Sequence, residues 1–160
     1  MRSTIKSFMR EWSTMGEKER SQCFMPILDE VSGYFEMTLG RKPFDRESGE
    51  RISVLHPGCG LGRLVFEFAR RGYKSQGNEF AYFCLLSSNF ILNATEHKDQ
   101  FEIFPYLHSF SNIIKENDPF TPVKIPDVCP NEVMVGDVTN YDFSMVAGEF
   151  IEVYQNQACK

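Results

Sequence analysis

The chain is short of four things, and each shortage closes off a class of function. It has no Lys/Arg cluster: 17 basic residues stand against 22 acidic ones, for a net charge of −5. A nucleic-acid footprint needs a basic face to neutralise phosphates, so the expected partner is a small molecule or a protein. It has no C-x-x-C pair. Its five cysteines, Cys23, Cys59, Cys84, Cys129 and Cys159, are odd in number and sit mostly in apolar context, which argues against a disulfide framework and against a zinc site. No metal is expected, and a reducing compartment fits. There is no apolar run near the ~18 residues that a membrane span needs, and Met1 to Arg10 is polar and basic, unlike a signal peptide. The expected location is the cytosol, with the nucleus as an alternative, and no membrane contact is expected. Finally, no tandem repeat or low-complexity tract breaks the sequence.

What is present is enough apolar material, 42% of 160 residues, to build the core of one domain. Its most informative stretch is Val54-Leu-His-Pro-Gly-Cys-Gly-Leu-Gly-Arg63 followed by Gln76-Gly-Asn-Glu79. Ile52 to His56 reads as a buried strand, Gly58, Gly60 and Gly62 as a turn, and Leu64 to Arg71 as a helix. Glycines let the backbone turn tightly with positive φ and come close to a ligand at a helix N-terminus. Lys74 to Gly77 restarts an extended segment, and Glu79 falls at its carboxyl end, where a carboxylate can accept hydrogen bonds from two ribose hydroxyls. The spacing is G-x-G-x-G, without the third glycine position of a dinucleotide fingerprint and without a basic residue before Arg63. It favours S-adenosylmethionine, which carries no phosphate, over a nicotinamide dinucleotide.

The rest of the chain frames that unit. Ile5, Phe8, Met9 and Trp12 recur at helical period, with Ser3 or Thr4 as N-cap and Gly16 as a stop. Phe24, Ile27, Leu28, Val31 and Phe35 mark a second helix that Pro26 opens or kinks near its start. Gly40 to Glu50 reads as a charged connector. Phe80 to Asn93, apolar around much of its circumference, predicts a buried helix. Residues 94–131 are aromatic yet punctuated by prolines, the composition of an ordered cover or lid. Asn131 to Val138 and Asp142 to Gly148 are two candidate strands, each ending near an acid, Asp137 or Glu149, that can reach a bound base. His97, Tyr106, His108 and Phe110 are candidates for an acceptor pocket, with ordinary packing as the alternative.

The combination of Ser3 to Ser13, Gly16-Glu-Lys-Glu-Arg20, Pro26-Ile27, Pro57 to Leu64, Gln76 to Glu79, Ser87 to Asn93 and Phe143 to Phe150 resembles the carnosine N-methyltransferase family, from about Ser3 to Tyr154. The resemblance implies an α/β fold: the N-terminal part of a Rossmann-like class I methyltransferase sheet, strands 1 to 3 with flanking helices, preceded by two N-terminal helices. It implies an N-terminal helical cap over residues 1–40 and a partial S-adenosylmethionine-binding domain over residues 41–160, with an insertion at residues 94–131. The implied activity is methyl transfer from S-adenosylmethionine to an imidazole nitrogen of carnosine, giving anserine. By position, Gly58, within the Gly58-x-Gly60-x-Gly62 turn, and Glu79 would hold the cofactor. Glu149 and Phe150 would flank its adenine, and Arg10 would reach it from the first helix. Ser7 stands where the family has glutamine, Glu149 where it has aspartate, and His56 where it has an aliphatic residue. His56 is read as a satisfied, partly buried imidazole, not a base.

A full sheet of this kind runs in the order 3-2-1-4-5-7-6, with the site between strands 1 and 4. The chain supplies strands 1 to 3, so it is expected to be a C-terminally truncated member whose catalytic residues lie beyond its end. The alternative to an enzyme is a non-catalytic S-adenosylmethionine-binding fragment, or one that pairs with another copy through an open sheet edge.

Overall fold

The structure is a computed structural model, and it describes residues 2–45, 47–108, 118–130 and 143–147. The first helix, α1, spans Arg2–Trp12. It begins ahead of Ser3 and Thr4, so neither residue is its N-cap. Thr4 is buried instead, and tertiary contact fixes the first turn where a side-chain cap was expected. Gly16 does more than stop the helix. A Cβ on it would lie 2.1 Å from the Arg10 carbonyl oxygen and 2.7 Å from that of Met9, so the chain can fold back against α1 only without a side chain. After a single 3₁₀ turn, Thr14–Gly16, the second helix α2 starts at once and covers Glu17–Gly33.

Helix α2 therefore opens well before Pro26, contrary to expectation. Glu17 and Glu19 in its first turn favour a helix start there. Pro26 sits inside the helix. It withholds an N–H from the Gln22 carbonyl, and because both residues are exposed, water can serve that carbonyl instead. Of the expected apolar stripe, Leu28 is buried while Ile27 is exposed. A π-helical turn, Tyr34–Thr38, extends the element toward the connector.

Three parallel strands form the main sheet. β1 is Ser53–Pro57, β2 is Lys74–Glu79 and β5 is Phe143–Ala147, with β2 in the centre. Helix α3, Arg63–Arg70, joins β1 to β2, and α4, Tyr82–Asn93, follows β2. The register sets Pro57 beside Asn78 and Glu79 beside Ala147, which brings the carboxyl ends of β1 and β2 level. The expected strand at Asn131 to Val138 lies outside the described residues. The proline-punctuated segment contributes a small antiparallel pair, β3 at Phe101–Ile103 and β4 at Val123–Ile125, which the sequence reading did not anticipate.

Two clusters make the core. Trp12, Leu61, Phe66, Ile91, Leu92 and Ile125 form one, with Phe101, Ile103 and Val128 packed on it; Leu28, Ile52, Phe68 and Tyr73 form the other. Helix α3 serves both, because Phe66 and Phe68 are two residues apart and so project to opposite sides of a helix. Helix α4 is not buried all round. Ser88, Ile91 and Leu92 face the core, while Tyr82, Phe83 and Leu86 are exposed, since one face of the helix meets the Trp12 cluster and its first turns stand clear of it.

His56 behaves as expected of a packed imidazole. Its Nε2 lies 2.9 Å from the Ser75 hydroxyl and its ring packs at a tilt against Phe68, with 4.7 Å between centroids. Burial pushes it down from 6.5 to about 4, because the charged form is poorly solvated there. The folded chain thus binds this proton less tightly than the unfolded chain does. Its contribution to stability is complete above pH 6.5 and is lost as pH falls toward about 4. Replacing His56 by Leu is expected to remove a stability slope worth up to about 3 kcal/mol across that window. Urea unfolding of both chains over a pH series reads the difference, and parallel curves would show that the imidazole does not titrate as argued.

Candidate functional site

The carboxyl ends of β1 and β2 meet over a turn built by Gly58, Gly60 and Gly62, at φ of 62°, 60° and 79°. The Cys59 amide donates to the Asn78 carbonyl at 3.1 Å and ties the turn to β2. A Cβ on Gly58 would meet nothing within 4 Å, so the outer face of the turn is open to a ligand. On Gly60, a Cβ would lie 2.9 Å from a Glu11 oxygen, which makes Gly60 the position where backbone and carboxylate come closest.

Glu79 sits where the sequence placed it, beside this turn. Its Oε2 accepts from the Gly60 amide at 2.9 Å, and its Oε1 accepts from Phe80 at 2.9 Å and Ala81 at 2.8 Å. Three amides fix the carboxylate's direction. A carboxylate offers about four acceptor sites, so little capacity is left, and a ligand gripping it with two hydroxyls has to share or displace an amide. That is more than the sequence reading assumed, because the same acid also holds the turn together.

Glu11 was not anticipated. It reaches from α1 into the turn, where its carboxylate accepts from Leu61 at 3.1 Å and Arg63 at 3.4 Å, the amides at the start of α3. A helix N-terminus favours an anion, and here the chain supplies its own. Burial pushes Glu11 up to about 7, with the two amides, Arg10 and Arg63 only partly offsetting it. Two thiols share these surroundings: burial first and the Glu79 charge second push Cys59 up to about 12 and raise Cys84 as well. Both are held as neutral thiols, unsuited to act as nucleophiles.

Arg63 is a structural cation. Its guanidinium lies over Trp12 at 4.9 Å, bonds Asp127 at 2.6 Å and Glu67 at 2.8 Å, and donates to the Glu11 carbonyl at 3.0 Å. Asp127 also binds Arg20, which donates to the carbonyls of Arg10 at 2.8 Å and Ser13 at 2.7 Å. Burial and the nearby Arg63 push Arg20 down from its ordinary value, while Asp127 pulls it back. Trp12 completes the joint by donating its indole N–H to the Leu61 carbonyl at 3.1 Å. A cleft of about 560 Å³ opens beside this network, lined by Glu17, Arg20, Arg63, Glu67, Arg70 and Asp127 among others. Its charges are largely spent on each other, in the pairs Arg20–Asp127, Arg63–Glu67 and Arg70–Glu67.

The structure brings together Gly58, Gly60, Gly62 and Glu79. Arg10 lies on the same helix as Glu11, with its guanidinium paired to Glu19 at 3.1 Å on the exposed side. Glu149, Phe150, Asp137 and Phe110 lie outside the described residues. Tyr106 packs beneath the Lys6 ammonium at 5.5 Å, which accords with the packing alternative. No local signal in the sequence marked Glu11: it lies outside the apolar stripe of α1, and its partner Leu61 is 50 positions away. Among the described residues no group of three His, Cys, Asp or Glu could hold a metal ion.

Comparison with known proteins adds an independent finding. A family model described as Carnosine N-methyltransferase matches residues 1–160. The chain is 40% identical over 154 residues to the carnosine N-methyltransferase of Rattus norvegicus, covering 96% of this chain and 36% of the rat protein. With that of Schizosaccharomyces pombe it shares 42% over 152 residues, covering 95% and 38%. With the Drosophila melanogaster protein "Carnosine N-methyltransferase unmet" it shares 40% over 153 residues, covering 96% and 31%. The chain thus spans about a third of the length of these relatives.

Two substitutions test the joint. Asp127→Ala leaves two buried guanidinium groups without their shared anion, and is expected to destabilise the chain by roughly 3–5 kcal/mol in denaturant unfolding. A loss below about 1 kcal/mol, the worth of a surface pair, would mean that solvent screens the network. Gly60→Val forces a β-branched residue into left-handed backbone and against Glu11, at an expected cost of about 1–3 kcal/mol in thermal unfolding. An unchanged melting temperature would show that the turn is looser than described.

Proposed function

The chain belongs to the carnosine N-methyltransferase family, and on that premise we propose that its residues build the S-adenosylmethionine-binding part of an N-methyltransferase acting on the imidazole of carnosine to give anserine. The observation that carries the reading is the meeting of Glu79 and the Gly58–Gly62 turn at level strand ends. A nucleoside fits there. The open face over Gly58 admits it, the carboxylate at the end of β2 accepts from ribose hydroxyls, and among the described residues the nearby Arg10 and Arg63 are already paired with acids. The parallel order β1-β2-β5 supports a Rossmann-like sheet in which β5 is the third strand. Glu149 and Phe150, just past β5, would then flank the adenine, and Arg10 would reach the methionine carboxylate after leaving Glu19.

S-adenosylmethionine supplies a methyl group on a positively charged sulfur. The chain's contribution is to hold and orient that donor so that a neutral imidazole nitrogen meets it in line, the alignment from which most of the acceleration is expected. Glu79 fixes the ribose, the glycine turn lets the backbone approach, and α1 closes over the turn through Trp12 and Glu11. The neutral thiols of Cys59 and Cys84 do not compete for the methyl group, because a thiol is a far weaker nucleophile than a thiolate.

Calorimetric titration of the chain with S-adenosylhomocysteine tests the proposal. Binding is expected, and Glu79→Ala is expected to weaken it by about tenfold or more, the worth of hydrogen bonds to a charged acceptor. A folded chain that binds nothing would sink the reading. Binding unchanged by Glu79→Ala would move the ribose elsewhere.

A further inference from the structure

The amide-lined start of α3 is the place where a dinucleotide-binding protein seats its pyrophosphate. Here it is already filled. Glu11 Oε2 takes the amides of Leu61 and Arg63, Oε1 lies 3.4 Å from Leu61, and the carboxylate closes to 2.9 Å of a Cβ built on Gly60. A second carboxylate, Glu79, lies on the same glycine and takes its amide. The nearest cations do not cancel this pair. Arg63 is committed to Asp127, Glu67 and the Glu11 carbonyl, and Arg10 is paired with Glu19.

We propose that Glu11 sets the charge specificity of the nucleoside site: its carboxylate occupies the anion cradle of α3, so the site refuses phosphate-bearing nucleosides and takes one without phosphate. A nucleotide entering this turn would have to evict a buried side chain from its amides and then sit against its charge. S-adenosylmethionine has no phosphate, and its sulfonium and ammonium charges outweigh its single carboxylate, so it meets far less opposition. The inference rests on the cofactor reading above for its positive side, and stands on the Glu11 geometry alone for its negative one.

Glu11 is poised to report on this. The groups that face it are Arg10 on its own helix, Arg63 on α3, Cys59 in the turn, Glu79 across Gly60 and Cys84 on α4. Both thiols are pushed upward, away from neutrality. Burial brings Glu11 to about 7, so its own charge changes near neutral pH. An anionic ligand favours its protonated form, so affinity for such a ligand should rise as pH falls through that range.

The experiment is calorimetric titration with ADP of the chain, Glu11→Gln and Glu11→Ala, at about pH 8 and about pH 6, on either side of the titration. At the higher pH, Glu11→Ala is expected to bind ADP about tenfold or more tighter than the unaltered chain, which corresponds to about 1.4 kcal/mol. The glutamine variant, which copies the protonated acid, is expected to exceed the unaltered chain at the higher pH, and the gap should close at the lower one. That closing gap separates a charge effect from a packing effect, since a merely structural Glu11 would show the same gap at both pH values. Folded variants that bind ADP no better than the unaltered chain, or a gap indifferent to pH, would overturn the proposal. If the alanine variant does not fold, the glutamine comparison decides. S-adenosylhomocysteine in the same cell keeps the two readings apart: its failure to bind the unaltered chain would count against the cofactor, while the ADP comparison would still judge Glu11.

Discussion

One buried carboxylate, Asp127, holds the arrangement around the turn in register. It bonds Arg20 with one oxygen and Arg63 with the other, and the two guanidinium groups also donate to the carbonyls of Arg10, Glu11 and Ser13. The Arg10 and Glu11 carbonyls lie in the last turn of α1, where a helix leaves them without internal partners, so the two arginines form part of its C-terminal cap. The Asp127 amide closes the loop by donating to the Trp12 carbonyl at 2.9 Å. Four segments distant in sequence are thereby fixed at one point. A buried ion network of this kind contributes less to net stability than to the choice of one geometry, because desolvation offsets much of its attraction. The geometry it selects is the one that delivers Glu11 to the turn.

What was legible in the sequence follows from locality. The strand, turn, helix and strand from Ser53 to Glu79 could be read because glycine spacing and a strand-end acid are short-range signals with a single mechanical meaning. The packed, non-basic character of His56 was readable for the same reason. The start of α2 was not, since a mid-chain proline was weighed above the acids of Glu17-Lys-Glu19, and an exposed helix tolerates that proline. Helix α4 looked buried because composition counts apolar residues without saying what will stand against them. Long-range pairings stayed hidden altogether: neither Asp127 nor Arg20 carries any mark of the other, and β3 finds β4 across an intervening segment whose register no local pattern fixes.

The groups proposed to bind the ligand are the same few that hold the fold. Glu79 braces the glycine turn with one oxygen and holds the Phe80 and Ala81 amides, in the link to α4, with the other. Arg63, at the start of the helix that follows the glycine turn, is spent on its cation–π contact with Trp12 and on ion pairs. Such double use makes a site rigid. It also means that a substitution in the turn is felt as lost stability and lost affinity together, so the two have to be measured separately.

The neutral thiols in and beside the turn have a practical reach of their own. Among the described cysteines, Cys129 is buried, Cys59 and Cys84 are partly covered beside acidic groups, and Cys23 is exposed on α2. An alkylating dye or crosslinker needs access and thiolate, and burial denies both to the thiols beside the turn while Cys23 stands open. With Cys159 replaced, a fluorophore can thus be placed on α2 and the turn, left unlabelled, watched from a distance.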